Sequence, residues 1–131
     1  MEDNHIDTPL VRSFVATLRS AEQADDVADL AAMFTDDAEL FRLDGAGLRR
    51  GDARGFWESY RAQFSEVRTV FTNAVETDAE AALEWHSSGT LSDGKPFTYE
   101  GSTFLTHDGE HITGLRTYYD TAAFLEVTAG T

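Results

Sequence analysis

"PFTYEGSTFLTHDGEHITGLRTYYD", residues 96–120, decides the fold. Both halves are rich in β-branched and aromatic residues that alternate with polar ones, the pattern of half-buried strands. The joint "HDGE" (107–110) holds an Asp-Gly pair, a strong hairpin signal. Upstream, "AALEWHSSGTL" (81–91) connects through "SDGK", and "VRTVFTNAVET" (67–77) connects through "TDAE". Residues 67–120 therefore read as a four-stranded antiparallel meander.

The first half reads differently. "TPLVRSFVATLRSAE" (8–22) spaces Leu10, Val11, Phe14, Val15 and Leu18 as one helical face, with Thr8 as cap and Pro9 at the first helical position. "ADDVADLAAMFTDDA" (24–38) reads as a second helix, with Asp25 and Asp26 at its positive end. "AELFRL" (38–43) is a short strand and "DGAGLRRG" (44–51) a loop. "DARGFWESYRAQFSE" (52–66) is a third helix, capped by Asp52 and buried along Phe56, Tyr60 and Phe64. Helices segregated from one antiparallel sheet define an α+β domain. Residues 1–7 and 127–131 read as tails around a single domain spanning 8–126.

The chain has 131 residues, with 24 acidic and 10 basic side chains and a net charge of −14. That field repels phosphate backbones and anionic bilayers, so nucleic acid and membrane surfaces are not expected partners. No apolar run approaches the ~18 residues of a membrane helix. The acidic start "MEDNHIDTP" is not a secretory signal, and a cytoplasmic protein is expected. Without cysteine there are no disulfides or thiolate metal sites. The histidines do not converge: His107 and His111 flank a turn, His86 lies within a strand, and His5 is in the tail. No metal or cofactor is expected.

"DLAAMFTDDAELF", "LRRGDARGFWESY", "EGSTFLTHDGEHI" and "YYD" occur in an order that resembles the SnoaL-like branch of the nuclear transport factor 2-like superfamily. The resemblance spans residues 8–126. It implies a cone: a strongly curved sheet wrapped around three helices of the N-terminal half, with a pocket in its mouth and dimers through the outer sheet face. Family members include cyclases, isomerases, epoxide hydrolases, dehydratases and non-enzymatic binders, so fold alone does not give the chemistry.

Enzyme templates from the family do not transfer residue by residue. The epoxide-hydrolase positions correspond to Phe41, Leu43, Thr117 and the neighbourhood of Trp85 and Ser87, and the required acids and arginine are missing. The ketosteroid-isomerase positions correspond to Leu18, Arg42 and Ser102, leaving Asp44 and Ser102 as the substitutes to consider. The acid of the polyketide cyclases corresponds to the region of Thr117.

The resemblance puts Leu115, Thr117 and Tyr119 on the pocket face of the last strand, because side chains alternate. Strand 81–91 then offers Leu83, Trp85 and Ser87. With Leu105 and Ile112 as cross-strand partners, Glu100, Ser102 and Phe104 face the cone; a bulge reverses this and leaves Glu100 in water. Asp120 falls on the other face and reads as the cap of a short helix, with a buried acid as the competing role. The candidate acid–base groups are thus Glu100 and Asp44. Arg42, Trp57, Tyr60, Trp85, Ser87, Ser102, Thr117 and Tyr119 are the candidate ligand contacts, with Arg42 expected to meet Glu100. The function expected is proton transfer on a small apolar, oxygenated molecule, as in a cyclase, isomerase or dehydratase. The alternative is a non-catalytic, dimeric binding or structural domain.

Overall fold

The computed structural model describes residues 6–43 and 47–120. These form α1 (Pro9–Ala24), α2 (Ala28–Ala31), β1 (Phe34–Arg42), β2 (Gly47–Arg50), α3 (Ala53–Ala62), β3 (Phe64–Glu76), β4 (Glu80–Leu91), β5 (Pro96–His107) and β6 (Ile112–Tyr119). Among the described residues one curved, unclosed sheet has the order β2-β1-β6-β5-β4-β3. The meander β3–β6 is antiparallel throughout. β1 lies parallel to β6, so the sheet is mixed and not purely antiparallel.

α1 packs its face of Val11, Phe14, Val15 and Leu18 into the concave side. Pro9 stands at its first position, although the Thr8 side chain makes no capping bond. Asp52 caps α3 by accepting from Gly55 N–H at 3.0 Å. Ile6 is 1% exposed and belongs to the core, where the sequence suggested a tail.

Three element boundaries differ from the sequence reading. α2 is a single turn, and Phe34 already belongs to β1. Asp36 and Asp37 would have sat at the negative end of the longer helix, where acids are unfavourable. The stretch 47–50, read as loop, is a strand whose Leu48 pairs with Phe41. α3 stops at Ala62, and Phe64 opens β3 while its ring still lies 5.3 Å from that of Tyr60.

The face assignment on β5 turns on one irregularity. Leu105 pairs with Leu115, and His107 pairs with Ile112, with a register shift between Thr106 and His107. The extra residue is Thr113 of β6, so Ile112 and Leu115 both face inward, and Leu105 lies on their side of the sheet. Phe97, Tyr99, Thr103 and Leu105 accordingly point inward and are buried. His107 is buried as well, its Nδ1 accepting from Gly109 N–H, and does not flank the turn in solvent.

Candidate functional site

The cone encloses a cavity walled by α1, α3 and the inner faces of the strands. Its volume is about 40 Å³, room for roughly three waters. Arg42, Trp57, Tyr60, Trp85, Ser87, Thr117 and Tyr119, all singled out in the sequence, line this one space. Tyr99, Thr103 and Thr69 line it too.

Aromatic rings form most of the wall. Trp57 stands edge-on to both Phe56 and Tyr60. Trp85, Tyr99 and Tyr119 form a second group, with centroids 5.1–6.3 Å apart. Gly101 holds that group in place. A Cβ there would lie 2.6 Å from Trp85 Cζ2 and would also press on the Tyr118 carbonyl. The indole thus lies where a side chain would be, and its Nε1 donates to Thr103 Oγ1 at 2.8 Å. Thr103 Oγ1 lies 3.0 Å from Thr117 Oγ1, extending a polar row along the wall.

A second polar row ends on a residue that the sequence reading passed over. Glu22 of α1 is 3% exposed. Its Oε2 accepts from the Tyr60 hydroxyl at 2.7 Å and the Thr69 hydroxyl at 2.6 Å. Its Oε1 accepts from Thr69 N–H at 2.9 Å. Thr69 Oγ1 also lies 2.6 Å from Ser87 Oγ. A hydroxyl has one proton, so with Thr69 donating to Glu22, Ser87 donates to Thr69. Glu22 is therefore linked to two cavity-lining hydroxyls directly and to a third through Thr69.

Burial raises the Glu22 pKa, against the lowering effect of bonds from Thr69 and Tyr60 and the charge of Arg61. Burial, then the neighbouring Glu22 charge, pushes the Tyr60 phenol well above its usual value. Tyr60 thus keeps its proton, and Glu22 is the group that can exchange one. The missed signal was periodicity: Glu22 follows Val11, Val15 and Leu18 on the apolar stripe of α1. A carboxylate on such a stripe must find partners.

The other candidates are placed elsewhere. Glu100 lies on the outer face with its side chain 80% exposed, its Oε2 3.5 Å from His86 Nδ1. The bulge is the cause. Ser102 shares that face by alternation, and only its backbone carbonyl accepts from Thr117 Oγ1. Arg42 does not meet Glu100. It is buried over the Phe56 ring, 5.3 Å from the centroid, and donates to Ser59 Oγ at 3.2 Å. Asp44 and the helix that Asp120 was read as capping lie outside the described residues. Asp120 itself is exposed, and Arg116 lies over Phe104, 5.2 Å from its centroid. Among the described residues no group of His, Asp and Glu side chains could hold a metal ion. No helix among them is long and apolar enough to cross a membrane.

A curved, unclosed sheet wrapped over helices around an apolar cavity with a few hydroxyls defines a cone-type α+β domain. The chain belongs to the SnoaL-like domain family, whose model matches residues 11–115. Solved structures share the fold. An NTF2-like protein from Anabaena variabilis is 16% identical with a TM-score of 0.79, covering 87% of this chain and 89% of its own. A protein with a ketosteroid isomerase-like fold from Catenulispora acidiphila, in complex with trimethylamine, is 21% identical with a TM-score of 0.73, covering 89% and 90%. TerC, co-crystallised with polyporic acid, is 14% identical with a TM-score of 0.71, covering 88% and 95%. No curated protein shows a match to the chain.

Proposed function

We propose that the cone binds a small, largely apolar molecule bearing an oxygen, and moves a proton on it, as in cyclisation, isomerisation or dehydration. The observation that carries this reading is the 2.7 Å bond from Tyr60, which lines the cavity, to the buried Glu22 carboxylate. With Glu22 ionised, the Tyr60 hydroxyl donates its hydrogen bond to Oε2 and offers lone pairs to the cavity. A proton taken from the ligand passes to the Tyr60 oxygen while the tyrosine's own proton moves to Glu22; the reverse step returns it. No free phenolate is required, which suits the raised Tyr60 pKa. The Trp57 indole N–H, buried and without a hydrogen-bond partner among the described residues, is a donor for the ligand oxygen. Arg42 adds positive charge to the same wall. The volume of about 40 Å³ is far too small for a fused polycycle, and a single ring enters only as the aromatic wall gives way.

Cyclohexanone in D2O tests this. The protein should accelerate deuterium entry beside the carbonyl, followed by NMR, and Glu22→Gln should reduce the acceleration about 100-fold or more while the ketone still binds. Equal exchange in both proteins would remove Glu22 from the chemistry. A second reading is binding without catalysis. It is favoured by the observation that, among the described residues, no carboxylate itself lines the cavity. Two structural relatives were crystallised with small organic molecules, which supports a ligand-holding cone under either reading. Binding with no exchange in wild type would select the second.

The proposal includes a homodimer through the outer sheet face. Tyr99 and Leu105 are buried inside and take no part in an apolar patch there. Phe41, Phe104 and Tyr118 form one, with Tyr118 at 5.6 Å and 6.1 Å from the other two rings. Light scattering should give twice the 14.5 kDa chain mass; a monomer at micromolar concentration would contradict it.

A further inference from the structure

The distribution of basic side chains is uneven in a way the cone does not explain. Acids outnumber bases 24 to 10, so an arginine has no shortage of carboxylates. Arg49, Arg50 and Arg54 each pair with one, to Asp52, Glu39 and Glu58. Lys95 pairs with Asp93. Arg12 donates to the Ile6 and Asp7 carbonyls, and Arg116 lies over Phe104. Arg19 and Arg68, among the described residues, have neither hydrogen bond, ion pair nor ring contact. Both line one groove between α1 and β3, on the opposite side of Glu22 from the cone.

A third guanidinium borders the same groove. Arg61 is 7% exposed, and one terminal nitrogen donates to the Phe64 carbonyl at 2.7 Å. Its Nε makes no hydrogen bond, with Asp25 Oδ1 at 3.7 Å. A buried N–H without an acceptor is costly, and a groove-bound oxygen would satisfy it. Gln23, Ser65 and Ser88 add neutral polar side chains, and the groove has a volume of about 690 Å³. Besides Asp25 beside Arg61, two acids that line the groove oppose this charge. Glu22 turns both oxygens inward, to Tyr60 and Thr69. Glu66 is approached by the Thr90 hydroxyl at 3.5 Å.

We propose that this groove is a binding site for a small, multiply charged oxyanion, a phosphate group or a dicarboxylate, held by Arg19, Arg61 and Arg68. Arginine is suited to this because its planar fork presents paired donors to two oxygens. The strongly acidic remainder of the chain repels anions from the other surfaces, which concentrates any specific binding here. The site is separate from the cone, and its test does not depend on what the cone binds.

Thermal unfolding in phosphate and in malonate, each against sodium chloride at matched ionic strength, tests the proposal. Binding to the folded state should raise Tm by a few degrees over the chloride control. Arg19→Gln and Arg68→Gln should each lose most of that rise, and Arg116→Gln, outside the groove, should keep it. A rise with phosphate alone identifies a phosphate ligand, and one with malonate alone a dicarboxylate. No rise over chloride, or the same rise in all three variants, overturns the site, since general screening of the −14 charge would then account for the effect. Arg61 is left unmutated because it is buried and anchors the end of α3.

Discussion

Glu22→Ala is expected to destabilise the fold by about 3–5 kcal/mol, near the upper end for one side chain. The substitution strands two donors at once, the Tyr60 hydroxyl and the Thr69 N–H, and leaves the Thr69 hydroxyl to turn to Ser87. Each buried group left without a partner costs about 1–3 kcal/mol. Removing the carboxylate also relieves its own desolvation, which keeps the loss below the sum. Glu22→Gln keeps an acceptor in place and should cost about 1 kcal/mol. Urea unfolding with an unchanged m-value measures both.

The glutamine variant also isolates a pH effect. Burial raises the folded-state pKa of Glu22 above its unfolded value of about 4.5. The folded state then holds this proton over a range where the unfolded chain has released it. Its contribution is fully present below pH ~4.5 and is lost as pH rises through the folded pKa. The stability difference, wild type minus Glu22→Gln, should therefore fall as pH rises from about 4.5. The comparison is needed because Glu76 and Asp108 act the opposite way. Hydrogen bonds hold both below their usual values, so the stability they provide is lost on acidification. A difference that stays constant or rises with pH would show that Glu22 is not held toward its neutral form.

Gly101→Ala should cost about 1–3 kcal/mol, the range for overpacking, and should empty the cone of ligand. One methyl group meets the Trp85 ring and a backbone carbonyl that cannot rotate away. The indole must leave, breaking its bond to Thr103 and its contacts with Tyr99 and Tyr119. The readouts are a shift in tryptophan emission and loss of cyclohexanone binding. Unchanged emission with intact binding would show that the wall adapts.

The meander was legible in the sequence because turn chemistry and alternation agree there. Both Asp-Gly turns put a glycine at positive φ, Gly94 at 93° and Gly109 at 94°. The inner faces of β4 and β6 followed from alternation, since Leu83, Trp85, Ser87 and Leu115 are all buried. β5 did not follow, because a bulge has no reliable signature in "LTHDGEHIT". Glu22 was hidden for a different reason. Its partners lie 38 and 47 residues away, and only tertiary contact shows that its charge is accommodated. Arg19 and Arg68 look like ordinary surface residues until the fold brings them to the same groove.

The bulge between Thr106 and His107 also bears on how such cones diversify. Its extra residue is Thr113 of β6, and β5 alternates without a break from Phe97 to His107. Losing Thr113 would restore plain alternation between Ile112 and Leu115 and leave every inward side chain where it is. The hairpin can therefore change length in a lineage on this scaffold while the chamber wall is kept. Two relatives that differ there share one wall, although counting by twos from the turn would assign their strands opposite faces.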